Sequence, residues 1–208
     1  MYQRLINNII YPLSDKLMGL SINENLIRNK SIQWYSTAEL SALQKQKLFA
    51  ILSHCNDHIP YYQKLFKDYS LNINGDLLNE LKKIPILTKK IIKKHLPYDL
   101  TDKTRKIFSV EKTSGSSGEQ GEFYLDREAF SKIIAAQTLY WEWAGYSFGK
   151  RAIQTGINPE RGIKKQIKDK LLLIKYSDAF KIDKEIIRET LNPFRNKKDI
   201  FFIGYPSS

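Results

Sequence analysis

From residue 106 onward, short apolar runs that read as strands alternate with segments that read as helices. That alternation restricts the second half of the chain to an α/β arrangement, a sheet with helices on its faces. The strand-like runs are 106–110, 122–125, 150–156, 171–174 and 200–203. Between them, Asp126 is placed to cap a long helix whose Phe130, Ile133, Ile134, Gln137, Trp141 and Ala144 share a stripe. Gly145 supplies the residue that stops it. Residues 160–170 form a basic helix or loop, and Asp183 caps a helix with Ile186, Ile187 and Leu191, ended by Pro193.

The first hundred residues are mainly helical, and wrap or precede that sheet. Residues 1–35 are weakly patterned and predict a short helix and an extended arm. Ser36 followed by Glu39 matches a capping box, so a helix is expected over about 37–55, carrying Leu40, Leu43, Leu48, Ile51 and Leu52. Pro60 breaks it, and a second short helix holds Tyr62, Leu65 and Phe66. Leu77, Leu78 and Leu81 mark a third, and Thr88 caps a fourth running to His95. The division expected is 1–105, mainly helical, and 106–208, α/β.

Residues 113–121 are the one place where small residues outnumber all others. Gly115, Gly118 and Gly121 give backbone freedom, and Thr113, Ser114, Ser116 and Ser117 supply hydroxyls between two strands. Such a turn presents donors to an anion such as phosphate. It is long for a tight hairpin, which uses about 2–5 residues. It is neither a Walker A loop, since no Gly-Lys-Ser/Thr follows, nor a Rossmann fingerprint, since no helix opens on its glycines.

Composition narrows the classes further. The 208 residues carry 42% hydrophobic and 27% charged side chains, ordinary for a globular protein. The net charge of +12 comes from lysines spread along the whole chain, which argues for solvated faces over a nucleic-acid site. The single cysteine, Cys55, excludes an internal disulfide and reads as a small buried hydrophobe. His54, His58 and His95 have no carboxylate partner at a metal-ligand spacing. No apolar run reaches the roughly 18 residues of a membrane span. The apolar pieces of the N-terminus are interrupted by Asn7, Asn8, Asp15 and Lys16, unlike a signal peptide, and a cytoplasmic location is expected.

Thr113-Ser114-Gly115-Ser116-Ser117-Gly118 resembles the phosphate-binding loop of the adenylate-forming (ANL) superfamily, usually Ser/Thr-Ser-Gly-Ser/Thr-Thr-Gly-x-Pro. The segment from Gln44 to Tyr62, with His58-Ile59-Pro60-Tyr61-Tyr62, and Ile84-Pro85-Ile86-Leu87-Thr88-Lys89 are similar to its phenylacetate–CoA ligase branch. Trp141 to Gly145 and Gly204 to Ser207 resemble the capsular-polysaccharide-biosynthesis (CapK-type) members. Departures are Ser117 for Thr, Gln120 for Pro, and negative charge at Glu119 and Glu122.

The resemblance implies part of an ANL-type N-terminal domain sheet with flanking helices, in an enzyme that activates a small-molecule carboxylate with Mg2+ and ATP. An acyl adenylate and pyrophosphate form, and coenzyme A is one acceptor in the family. Thr113, Ser114, Ser116 and Ser117 would then bond phosphate oxygens, with Gly115 and Gly118 allowing close approach. Tyr140, Trp141 and Tyr205 are substrate-pocket candidates. No catalytic or metal-binding residue is carried onto the chain. A strand-to-helix turn at 204–208 without its helix gives the expectation of a truncated domain, inactive alone. The alternatives are a degenerate phosphate- or nucleotide-binding module without catalysis, and a basic nucleic-acid binder, which salt would weaken steeply.

Overall fold

A computed structural model of the chain describes residues 1–113, 120–156, 162–179 and 183–204, apart from the side chain of Lys164. The architecture is mixed α/β, with helix predominant and a small sheet of parallel strands. Two compact units are present: Met1–Gly19 together with Ala136–Ser208, and Leu20–Ala135.

The first unit is built on strands β3 (Arg151–Gly156), β4 (Ile174–Asp178) and β5 (Ile200–Ile203), in the order β4-β3-β5. Both pairings are parallel, with Ala152 opposite Ile174 on one side and opposite Phe201 on the other. Parallel neighbours need a crossover. Helix α9 (Ile163–Leu171) lies between β3 and β4 in sequence, and α10 (Lys184–Leu191) between β4 and β5. Ala152 and Ile153 point to opposite faces and are both buried, so the central strand is covered on each side.

The expected strand at 171–174 forms one turn later. Leu171 ends α9, and Leu173 takes a left-handed φ of 58°, which terminates the helix before β4 can begin. Leu172 is buried in the core all the same. The strand at 200–203 is present, but its burial alternates, with Ile200 and Phe202 exposed.

Residues 1–35 are helical almost throughout, with no extended arm. Helix α1 (Tyr2–Leu5), a π-helical segment (Ile6–Ile10) and α2 (Tyr11–Leu17) follow without a break, since the junction residues Leu5 and Tyr11 keep helical φ and ψ. This rod packs on the turn after α8 (Arg127–Trp143). Ile6 joins Tyr146, Phe148, Ala152 and Leu172 in the core. Gln3 donates to Ser147 Oγ at 2.5 Å and Asn7 to the Phe148 carbonyl at 2.9 Å. The Tyr11 ring lies 4.5 Å from that of Phe148.

The second unit contains α3 (Ile22–Ile32), α4 (Thr37–His58), α5 (Pro60–Asp68), α6 (Leu77–Leu81), α7 (Lys89–His95) and the hairpin of β1 (Ser109–Lys112) with β2 (Glu122–Leu125). Local chemistry sets its helix starts. Ser36 Oγ accepts the Glu39 N–H while the Glu39 carboxylate accepts the Ser36 N–H, the reciprocal box read from sequence. Ile59 is extended and Pro60 opens α5, where its missing N–H costs nothing. Asp76 and Thr88 cap α6 and α7.

Helix α8 buries a different stripe from the one expected. Ser131, Ala135, Thr138 and Leu139 are buried, while Ile133, Gln137 and Ala144 are exposed. Small residues let the neighbouring backbone approach closely: Ser131 Oγ accepts the Ser21 N–H at 3.1 Å and donates to the Arg127 carbonyl at 2.6 Å. Gly145, with φ of +85°, ends the helix as expected, through a bond from the Tyr146 N–H to the Trp141 carbonyl. No helix among the described residues is long and apolar enough to cross a membrane.

Candidate functional site

The candidate anion loop stands on the β1–β2 hairpin. The strands are antiparallel, with Ser109 opposite Leu125 and Lys112 opposite Glu122. At the foot of the loop, the Thr113 N–H donates to the Gly121 carbonyl at 3.0 Å, and Thr113 Oγ1 accepts the Gly121 N–H at 2.9 Å. One residue thus closes the neck twice. A hydroxyl that accepts a bond in this way also carries one proton of its own to donate.

Ser114, Gly115, Ser116, Ser117 and Gly118 lie outside the described residues, as does Tyr205. Of the expected phosphate-holding residues, Thr113 alone is described. Lys112, beside it, is not a freely solvated cation: Nζ sits 2.7 Å from Glu122 Oε1, and the Glu122 carboxylate pushes its pKa above the ordinary lysine value. For phosphate, the described foot of the loop fits, with a hydroxyl donor on a closed neck. For magnesium, no group of three or more His, Cys, Asp or Glu among the described residues is arranged to hold a metal.

The hairpin is tied to the start of α8 by charge and aromatic contact. Asp126 caps α8 by accepting the Ala129 N–H, and Arg105 Nη1 holds Asp126 Oδ2 at 2.6 Å and Glu128 Oε2 at 3.2 Å. Phe108 stacks edge-on against Phe130 at 5.0 Å, with the Arg127 guanidinium over its ring. The Phe108 N–H bonds the Leu125 carbonyl, which extends the pairing past β1.

The two described pocket candidates point apart, although they are neighbours on α8. Tyr140 is exposed and packs on Trp143, with ring centres 5.1 Å apart. Trp141 turns inward against Tyr146 and Phe148. Burial in this aromatic cluster pushes the Tyr146 hydroxyl up to about 12. The hairpin belongs to the second unit, and Tyr140 and Trp141 to the first.

Sequence spacing alone missed a charged cluster in the second unit. His54 Nε2 lies 3.2 Å from Asp102 Oδ2, and His95 Nδ1 lies 3.0 Å from Asp99 Oδ2, so two of the three histidines do have carboxylate neighbours. The second pair is an i, i+4 contact and was readable as such. The first joins α4 to a distant loop, and no local pattern announces it. Asp102 Oδ1 accepts both the Thr104 N–H and its hydroxyl, and Arg105 Nε approaches Oδ2 at 3.5 Å. Cys55, next along α4, is half-buried, and burial pushes its thiol up, away from nucleophile chemistry.

This cluster sets a pH dependence. The Thr104 hydroxyl, then its N–H and the positive potential of His54 and His58, hold the Asp102 carboxyl below the ordinary aspartate value. A depressed folded-state pKa contributes stability above the unfolded value, about 3.9, which is lost as pH falls through the folded one. Asp102→Asn is expected to lower the urea midpoint of the second unit at neutral pH, with the gap to wild type closing below about pH 4. Urea titrations across that range check it; a gap independent of pH would show that the charge is irrelevant.

The chain matches no protein-family model, and no curated protein matches it.

Proposed function

We propose that this chain carries the triphosphate-holding part of an ATP-dependent, AMP-forming carboxylate-activating enzyme of the phenylacetate–CoA ligase and CapK kind. The observation that carries the reading is the hairpin foot. Two strands in register and a doubly bonded Thr113–Gly121 neck hold up a loop whose sequence is hydroxyl and glycine throughout its first half. ATP, when bound, supplies an electrophilic α-phosphorus and a pyrophosphate leaving group. The part of this chain is positioning: Thr113, Ser114, Ser116 and Ser117 donate to phosphate oxygens, and Gly115 and Gly118 let the backbone come close. Because no catalytic residue of the family is carried onto this sequence, the chain alone is expected to bind and not to turn over.

The Lys112–Glu122 pair favours one second reading. With its nearest lysine neutralised and Glu119 beside the glycines, the loop is less cationic than an efficient triphosphate site, as in a phosphate-binding module that has lost its chemistry.

Equilibrium binding separates both readings from an idle hairpin tip. Wild-type chain is expected to bind ATP and inorganic triphosphate, and the Ser116→Leu/Ser117→Leu variant to lose at least about tenfold, since each charge-assisted bond is worth about 1.5–3 kcal/mol. Circular dichroism confirms that the variant keeps its fold. No binding by wild type, or equal binding by the variant, would remove the loop from the argument. Pyrophosphate release with a panel of carboxylates is expected to be absent, and turnover by this chain would contradict the positioning-only role.

A further inference from the structure

The first unit has two helices whose apolar rows face outward. On the N-terminal rod, Leu5, Ile9, Leu13 and Leu17 recur every four residues, and all are exposed, from 42% at Leu5 to 79% at Leu17. In an α-helix, a step of four overshoots a full turn by roughly 40°, so such a row drifts around the rod. The π-helical turn at Ile6–Ile10 takes more residues per turn and pulls the row back into line. The opposite side of the rod is apolar as well, with Ile6, Ile10 and Tyr11 against the core. A helix apolar on two sides has one surface more than the sheet covers.

Helix α9 repeats the pattern. Ile163 and Ile167 are 76% and 62% exposed, and Leu171 continues their row, while Asp169 on the other side is buried. The two helices meet where Tyr2 Oη donates to the Leu171 carbonyl at 2.5 Å.

The charges on these helices are sorted by sign. Arg4 and Lys16 on the rod, and Lys165, Lys168 and Lys170 on α9, are exposed. The acids of the same helices, Asp15 and Asp169, are both buried. The exposed side of each helix therefore offers aliphatic side chains and positive charge, with no exposed acid on either helix.

We propose that these two rows form a docking surface for an anionic lipid bilayer, on which the helices lie flat. Aliphatic rows flanked by long-stemmed lysines are the composition of an interfacial helix: the apolar groups enter the acyl boundary and the ammonium groups reach back to the headgroups. Protein interfaces, by contrast, are poor in lysine and rich in aromatic residues and arginine. A second copy of a chain with net charge +12 would set cation against cation. The rod is about 24 Å long at about 1.5 Å per residue, short of the roughly 30 Å hydrocarbon core, so it can lie on a bilayer without crossing it. This surface is independent of the anion loop, and either assignment can fail alone.

Flotation with vesicles tests it. Wild-type chain is expected to float with phosphatidylglycerol/phosphatidylcholine vesicles, to stay behind with pure phosphatidylcholine, and to be released by high salt. Ile9→Asp/Leu13→Asp and Ile163→Asp/Ile167→Asp change exposed residues, and each is expected to weaken binding at least about tenfold with an unchanged circular dichroism spectrum. Lys165→Glu/Lys168→Glu, a variant that leaves the apolar rows untouched, is expected to weaken it too. No flotation on anionic vesicles, equal flotation on neutral ones, or binding unaffected by all three variants would overturn the proposal. So would self-association that the apolar variants abolish in a chain indifferent to vesicles, which would identify a second copy as the occupant.

Discussion

Ile6→Ala is expected to destabilise the sheet-bearing unit by about 2–5 kcal/mol. Ile6 is fully buried, and its neighbours come from three separate stretches: Tyr146 and Phe148 after α8, Ala152 on β3, and Leu172 at the end of α9. Removing its outer carbons leaves a hole that none of them can close alone. The aromatic rings are fixed by one another, with Tyr146 edge-on to both Phe148 and Phe201. Ala152 has only a methyl group, which cannot reach into the space. The loss therefore falls toward the upper part of the range. Urea unfolding followed by tryptophan fluorescence reads it, because Trp141 packs on the same rings. A shift under about 1 kcal/mol would mean that the rod is not part of the cooperative core.

Gly149→Val acts on the other side of the same contact. Gly149 has φ of +82°, a region that costs a side-chain-bearing residue roughly 1–2 kcal/mol. A Cβ there would also stand 3.1 Å from Gln3 Cα and 3.2 Å from Ile6 Cγ1. The first of these is backbone and cannot swing aside, so the rod itself must shift. Together the two effects give about 2–4 kcal/mol. Asparagine tells them apart, since it tolerates the left-handed region but brings a Cβ. Gly145, at φ of +85°, has only the Phe201 ring nearby at 3.7 Å, an ordinary contact. Gly145→Asn is therefore expected to be mild and Gly149→Asn damaging; equal effects would show that conformation alone matters at both. Ile6→Ala combined with Gly149→Val is expected to cost less than the sum, because the first removes an atom that the second strikes.

What could be read in the sequence was what residues a few positions apart decide among themselves. The Ser36–Glu39 box, the caps at Thr88, Asp126 and Asp183, and the stop at Gly145 each depend on one turn of chain, and each is in place. The hairpin under the loop was legible in part: its second strand is in place at 122–125, while its first, expected at 106–110, runs from Ser109 to Lys112. Packing was less legible. The buried stripe of α8 runs through Ser131, Ala135 and Thr138, because close approach favoured small side chains over the larger Ile133. Nothing near Asp102 in sequence points to His54. The strand expected at 171–174 was misplaced because Leu172 belongs to the core without belonging to a strand. At the candidate site, the cross-strand partner of Lys112 follows from the register, and the register follows from the length of the loop above it.

The sheet-bearing unit is assembled from both ends of the chain, with the other unit spliced between them. This has a consequence for synthesis. On a ribosome, residues 20–135 can settle as soon as they emerge, because every contact inside that unit is with chain already made. The first nineteen residues must wait. Ile6 has nothing to rest on until Phe148, Ala152 and Leu172 are translated, so this apolar segment stays uncovered until that stretch is made. Whatever receives that segment in the interval, chaperone or lipid, meets it before the sheet does.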